Sequence, residues 1–271
     1  MTPFGFYEHD SWLQRRNPTA KLAAHLILSL AVTVVFDPVT PLAFVGLALL
    51  TGRILGRIPL ALLARALAPF WLLAASLIAS NALFVETARR QGVLWSWGPL
   101  TATRHGALIG LSLAERGVAI AAFSVIFLLS TDPTALIRSL VQQARLPARI
   151  AYPALAAYRF LPLLRGEYET LTLARRLRGY GRRRRPLGGL RERVTLIVPL
   201  LAGAIRKAER VAVAMDARGF DTKGPRSHYR RVRVTATDGL MVTGALALCV
   251  MILGTSAVLG TLHIWAGTLR G

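Results

Sequence analysis

Five long apolar runs are the feature of this sequence that most limits what it can fold into. They cover about residues 20–36, 39–56, 66–86, 107–130 and 238–262. A helix needs roughly 20 consecutive apolar residues to cross the hydrocarbon core of a bilayer, with a range of about 17–25. Only 17% of the residues are charged and 54% are hydrophobic, whereas about a quarter of a soluble domain is charged. The runs therefore predict an all-α, polytopic membrane protein with about five transmembrane helices.

Positive charge is unevenly distributed and predicts how the chain is oriented. Segment 131–235 carries 23 basic and 7 acidic residues, and the rest of the chain carries 11 basic and 6 acidic ones. Basic residues of membrane proteins gather on the cytoplasmic side. If the runs alternate, the same side receives the basic residues that flank the first three runs, namely Arg15, Arg16, Lys21, Arg53, Arg57 and Arg65. This predicts the N-terminus inside and the C-terminus outside. A basic chain also fits nucleic-acid binding, but positive-inside charge is favoured, and no nucleic-acid partner is expected.

Segment 131–235 is predicted to be helical rather than a loop. Asp132 and Pro133 are typical of a helix start, with Asp at the N-cap and Pro at the first helical position. Pro147 and Pro153 are expected to interrupt the chain. Two amphipathic runs follow, in which apolar residues recur at spacings of three and four. No strand is predicted.

These segments together predict one domain over residues 1–271. Its four-span membrane part covers about 1–130, and its cytoplasmic or interfacial helices cover 131–235. The last transmembrane helix is predicted at 238–262. The basic run at 182–185 is interpreted as a hinge between the two amphipathic runs.

Two Arg-Gly steps close the amphipathic runs. The first is Leu177-Arg178-Gly179, and the second is Ala217-Arg218-Gly219. Glycine directly after a helix favours a left-handed C-terminal cap, and a basic residue in the last turn lies against the negative end of the helix dipole. Each step alone is an ordinary capped helix end. Together they predict two arginine-bearing helix ends, which suit acidic grooves on another protein.

The sequence contains no recognisable catalytic or metal-binding motif. Its five histidines do not pair at helical spacing with each other or with a carboxylate, and the single Cys249 cannot form a disulfide within the chain. A phosphate-cradling Gly-x-x-x-x-Gly-Lys-Ser/Thr loop is absent, so ATP binding by that device is not expected. Glu115 and Arg116 lie within the fourth apolar run. They leave open a substrate path, although a structural polar contact is favoured.

Several segments of the chain match one membrane-protein family. Residues 11–22 are similar to the segment before that family's first helix, 130–138 to the start of its cytoplasmic part, and 158–164 to the helix before its first signature. That signature is an Ala-Arg-Gly tripeptide at the end of each of two crossing coupling helices. The second is intact here, and Leu177 replaces the alanine of the first. From about residue 11 to 260 the chain resembles the transmembrane coupling subunit of energy-coupling factor (ECF) transporters, the EcfT/CbiQ family.

The resemblance implies a non-enzymatic scaffold in the bacterial cytoplasmic (inner) membrane. It implies two cytoplasmic ABC-type ATPase partners, which bind and hydrolyse the ATP, and a separate membrane subunit that captures a vitamin or a cobalt or nickel ion. It implies no cofactor for this chain itself. The partner-binding residues that it implies are Arg178, Gly179, Ala217, Arg218 and Gly219, with Arg175 and Arg176 as supporting cations. The alternative is a stand-alone secondary transporter or channel, which needs polar residues inside several spans.

Overall fold

The computed structural model describes residues 10–35, 37–84, 93–97, 100–179, 188–220 and 231–260. Its helices are α1 Pro18–Val34, α2 Val39–Ile54, α3 Leu60–Phe84, α4 Arg104–Ser130, α5 Pro133–Gln143, α6 Ala148–Leu177, α7 Gly188–Ala217 and α8 Ala236–Val258. Two strands, β1 Val93–Trp97 and β2 Leu100–Thr103, lie between α3 and α4. The chain divides into two compact units. One is drawn from Met1–Ser139 and Val232–Gly271, and the other from Leu140–Arg231.

The first unit contains the helices that correspond to the five predicted spans. Three of them are long and apolar enough to cross a membrane by length and composition, at Leu60–Phe84, Gly106–Ser130 and Ala236–Val258. The other two, α1 and α2, are apolar but have only 17 and 16 residues. At about 1.5 Å per residue they are shorter than a hydrocarbon core of about 30 Å. The fold is therefore that of an all-α membrane protein whose first two apolar helices are short.

One end of the first unit collects the starts of α1 and α8 and the end of α4. The backbone N–H of Asn17, the N-cap of α1, donates to Oδ1 of Asp238 in the first turn of α8 at 3.1 Å. The buried ammonium of Lys21 donates to the carbonyl of Ser130, the last residue of α4, at 2.7 Å. The end of α2 lies there too, because the backbone N–H of Leu13 donates to the carbonyl of Leu55 at 3.1 Å.

The opposite end of this unit collects the remaining helix ends. The hydroxyl of Ser112, in α4, donates to the carbonyl of Asp37 at 3.2 Å. The hydroxyls of Thr40, in α2, and Ser256, in α8, are hydrogen-bonded to each other. Helices α1 and α8 therefore run from the first end to the opposite end, and α2 and α4 run in the reverse direction, as the charge pattern requires.

The core of the first unit is built around α4, which packs against α1, α2 and α3. Val118, Ala122 and Ile126 recur every four residues along α4 and are all buried. They meet Phe44 of α2 and Leu67 of α3 in the same apolar cluster. In a bilayer, where lipid is as apolar as leucine, such association depends on close packing and on interhelical hydrogen bonds.

The strand pair corrects the expectation that the chain has no strands. β1 and β2 are antiparallel, with Trp97 opposite Leu100. Alternation over four or five residues is too short to be separated from the apolar background by periodicity. The sequence Gly98-Pro99 between the strands is a turn-forming pair that could have indicated the hairpin.

The helices of segment 131–235 include one confirmed prediction and one that is wrong. Oδ1 of Asp132 accepts a hydrogen bond from the backbone N–H of Thr134 at 3.0 Å, which caps α5 as predicted. Pro147 precedes α6, but Pro153 lies inside that helix and does not interrupt it. A proline near the start removes one backbone hydrogen bond, which a helix of 30 residues tolerates. The predicted hinge at 182–185 lies outside the described residues.

Candidate partner-binding site

Helices α6 and α7 form an antiparallel pair within the second unit. Near the end of α6, the guanidinium of Arg175 donates to the hydroxyl of Thr195 at 2.6 Å and to its carbonyl at 2.9 Å. Thr195 lies near the start of α7. At the other end, the ring of Tyr152 in α6 packs edge-on against Phe220, which follows α7, with centroids 5.9 Å apart. The end of each helix therefore lies beside the start of the other.

A partly buried ion pair joins the middle of the two helices. The ammonium of Lys207 in α7 donates to Oε2 of Glu167 in α6, and the two side chains are 30% and 29% exposed. Gly203, one turn before Lys207, makes room for this carboxylate, because a Cβ at that position would lie 2.9 Å from Oε1 of Glu167. The ion pair and the glycine fix the level at which α6 meets α7.

This antiparallel arrangement places the two Arg-Gly steps at opposite ends of the pair. The step after α7 lies level with Tyr152, and the step after α6 follows residue 177. At a rise of about 1.5 Å per residue, the intervening 25 residues of α6 span roughly 38 Å. The two steps are therefore far enough apart to contact different proteins, or different copies of one protein.

The end of α6, residues 173–179, is called the first tip. Gly179 has φ of +84°, a left-handed conformation that favours glycine. Its backbone N–H donates to the carbonyl of Arg176 at 3.1 Å, and that of Arg178 donates to the carbonyl of Ala174 at 3.2 Å. The predicted glycine cap of α6 is therefore confirmed.

The end of α7, residues 213–219, is called the second tip. Gly219 has φ of +73°. Its backbone N–H donates to the carbonyl of Asp216 at 2.9 Å, and that of Phe220 donates to the carbonyl of Met215 at 3.0 Å. These two bonds make a Schellman motif, so the second predicted glycine cap is confirmed as well.

The arginines of the two caps are available at the surface of the described residues. Arg178 and Arg218 are both exposed, and among the described residues neither guanidinium has a hydrogen bond or an ion pair. Arg176 and Ala217 are exposed as well. Arg175 differs, because its guanidinium holds α6 to α7 through Thr195. Its predicted role as a supporting contact for a partner stays a prediction, as do those of the other tip residues.

The residues that hold the two helices together are not predictable from the sequence. Glu167 and Lys207 are 40 positions apart, and no local pattern pairs them. Gly203 gave no separate indication, because a helical glycine need not mark a close approach, and a Cβ added at Gly166 would meet no atom within 4 Å.

Arg116, in the middle of α4, makes the structural contact that the sequence analysis favoured. Its guanidinium donates to the carbonyl of Val35, directly after α1, at 2.7 Å. Oε2 of the neighbouring Glu115 is buried without a hydrogen-bond partner among the described residues. The Arg116 contact satisfies a carbonyl at the end of a helix, which favours a structural role over a substrate path. Within the same part of the chain, no cluster of three or more His, Cys, Asp or Glu residues could hold a metal ion.

Comparison with known proteins assigns the family. A family model described as CbiQ, cobalt transport protein, matches residues 9–229. The chain belongs to the EcfT/CbiQ family. It is similar to the energy-coupling factor transporter transmembrane protein EcfT of Limosilactobacillus fermentum, with 30% identity over 264 residues that cover 91% of this chain and 92% of the relative.

Two further EcfT proteins show the same extent of similarity. The protein of Staphylococcus aureus is 27% identical over 90% of this chain and 92% of its own length. That of Streptococcus thermophilus is 29% identical over 88% of this chain and 92% of its own length. As a member of the EcfT/CbiQ family, the chain is a non-catalytic transmembrane subunit of an ECF transporter.

Proposed function

We propose that this subunit couples ATP hydrolysis by two cytoplasmic ABC-type ATPase subunits to substrate release by a separate membrane capture subunit. The observation that carries the proposal is the pair of exposed, glycine-capped arginine tips at opposite ends of α6 and α7. Each ATPase subunit contacts one tip. Movement of the ATPases then reaches the membrane through a helix pair that is fixed at its middle by Glu167 and Lys207.

The chemistry of the tips suits an acidic groove on each ATPase subunit. Arginine presents a planar fork of donors that matches a carboxylate, and it stays charged at all physiological pH values. Arg178 and Arg218 have no side-chain partner among the described residues, so docking breaks no bond within that part of the chain. The left-handed glycines Gly179 and Gly219 end each helix directly after its arginine, so both exposed arginines lie at a helix end.

The capture subunit has its own proposed surface on the pair α6 and α7. A concave region of about 480 Å³ lies between the two helices and is almost entirely apolar. Its lining includes Ala154, Leu161 and Leu164 of α6 with Ala204 and Ala208 of α7. Small residues allow close approach of another helix, which fits a membrane partner.

The division of labour among the subunits follows from the same proposal. ATP is bound and hydrolysed by the ATPase subunits, and this chain needs no cofactor. The capture subunit holds the substrate, a vitamin or a cobalt or nickel ion. The complex lies in the bacterial cytoplasmic membrane, where this chain is a multi-pass component.

Replacing the two tip arginines tests the proposal directly. Arg178→Ala and Arg218→Ala each remove one partner of a charge-assisted pair. Such a loss costs about 2–5 kcal/mol of binding free energy, which is more than a tenfold decrease in affinity. Co-purification with the co-expressed ATPase subunits should fall in each single variant and be almost lost in the double variant. Arg159→Ala on α6 and Arg210→Ala on α7, which also alter exposed arginines, are the matched controls. Full ATPase recovery and uptake by the double variant would refute the proposal.

A further inference from the structure

The two tips share an apolar strip as well as the Arg-Gly step. Counted back from the glycine, Leu173 of α6 and Val213 of α7 occupy the sixth position, and Leu177 and Ala217 occupy the second. Residues four apart lie on one face of a helix. All four side chains are exposed, including 58% of Leu173, 68% of Val213 and 90% of Leu177. Each strip thus runs along an exposed helix face to its arginine.

The first tip is larger and more cationic than the second. Leu173 and Leu177 stand where the second tip has the smaller Val213 and Ala217. The third position before the glycine is also different, with the exposed Arg176 in the first tip and the exposed Asp216 in the second. Since the backbone caps are alike, with φ of +84° and +73°, the tips differ in side-chain volume and charge rather than in conformation.

We infer that the first tip fits an ATPase groove that combines an acidic rim with an apolar recess for Leu173 and Leu177. The groove for the second tip is shallower and less acidic, so the two tips are not interchangeable. This inference rests on the proposed function. Burial of leucine in a matching recess stabilises the complex in proportion to the apolar area removed from water. In a groove shaped for alanine, the same side chain overpacks.

Exchanging the two residues at the second position before the glycine tests this fit. The chain is placed in lipid nanodiscs and titrated with the ATPase subunits of the same transporter, purified separately, and the dissociation constant is measured. Leu177→Ala should weaken binding at least tenfold, because three buried carbons are lost. Ala217→Leu should also weaken it at least tenfold, and the double exchange should not restore it. Leu201→Ala, which alters an exposed leucine of α7 outside both tips, should bind like the wild type.

A photo-crosslinking amino acid reports the contact independently of affinity. Introduced in place of Leu177, it should crosslink to an ATPase subunit, and in place of Leu201 it should not. Binding of Leu177→Ala or Ala217→Leu within twofold of the wild type would overturn the inference. The Arg178→Ala variant distinguishes failure of this inference from failure of the proposed docking of the tip. If it binds weakly while Leu177→Ala binds normally, only this inference fails. If Arg178→Ala also binds normally, docking of the tip itself is refuted.

Discussion

Oδ1 of Asp238 accepts a hydrogen bond from the backbone N–H of Asn17, 221 positions earlier in the chain. Its other oxygen, Oδ2, accepts from the backbone N–H and the hydroxyl of Thr235 at 2.8 and 2.7 Å. One buried carboxylate therefore caps α8 and fixes the start of α1. Residues Asn17 and Asp238 join the first and last apolar helices of the chain at the end that the charge pattern assigns to the cytoplasm.

Removing this carboxylate should destabilise the first compact unit, which contains the apolar helices and is called the membrane unit below. Asp238→Ala takes away a helix cap and leaves the buried N–H of Asn17 unpaired, which costs about 1–3 kcal/mol. The midpoint of thermal unfolding in detergent should therefore fall by several degrees. Asp10→Ala is the control, because the carboxylate of Asp10 pairs with Arg15 in an arrangement where both side chains are more than 60% exposed, and exposed pairs contribute little. Equal midpoints for the two variants would contradict the assigned role.

The ion pair between α6 and α7 should matter more than an exposed pair on the same helix. Lys207→Met leaves the partly buried Glu167 without its partner, and we expect a loss of about 1–2 kcal/mol, intermediate between exposed and buried pairs. Glu169→Gln breaks the exposed i, i+4 pair with Arg165 and should cost less than about 0.5 kcal/mol. Thermal unfolding of both variants measures the difference between their losses of stability. Equal losses would show that the Lys207 contact is incidental.

Gly166 in α6 and Gly179 directly after its C-cap should respond to alanine with opposite changes in stability. A Cβ added at Gly166 or at Gly179 would meet no atom within 4 Å, but only Gly179 has a positive φ, at +84°. Gly166→Ala should stabilise the helix by about 0.5–1 kcal/mol. Gly179→Ala should destabilise the chain by about 1–2 kcal/mol, because alanine is strained in the left-handed region. The same sign for both variants in thermal unfolding would show that the cap does not require this conformation.

The predicted orientation can be read with single cysteines. Cys249 is 3% exposed, so a Cys249→Ser background removes a residue that is already shielded. In right-side-out vesicles, a membrane-impermeant maleimide should label Val39→Cys, at the start of α2. It should reach Arg53→Cys, in the last turn of α2, only after permeabilisation. The reverse pattern of labelling would invert the topology.

Local features of the fold followed from the sequence because each depends on neighbouring residues. The apolar runs predicted the helices of the membrane unit, Asp132 predicted the start of α5, and Gly179 and Gly219 predicted the two caps. The break predicted at Pro153 is wrong, because one proline near a helix start removes a single hydrogen bond and a long helix continues past it.

Contacts between distant segments could not be predicted in the same way. The pairs Glu167–Lys207 and Asn17–Asp238 are separated by 40 and 221 positions. Their formation depends on how the helices pack, which periodicity does not report. The candidate site was therefore predicted as two separate tips. The structure added that these tips lie at opposite ends of one antiparallel pair.

The link between Asn17 and Asp238 also sets an order of events during synthesis. The hydrogen bond between Lys21 and Ser130 can form once 109 further residues have been made after Lys21. The one between Asn17 and Asp238 requires 221 further residues after Asn17. At roughly 5–20 residues per second, the longer delay lasts roughly 10–45 s. Once α4 has been made, α1 has this partner available, while the side of α1 that contacts α8 has none until α8 follows. The membrane unit closes last, after the ribosome has translated the whole of α6 and α7, so a chain that stalls before α8 remains distinguishable from a finished one.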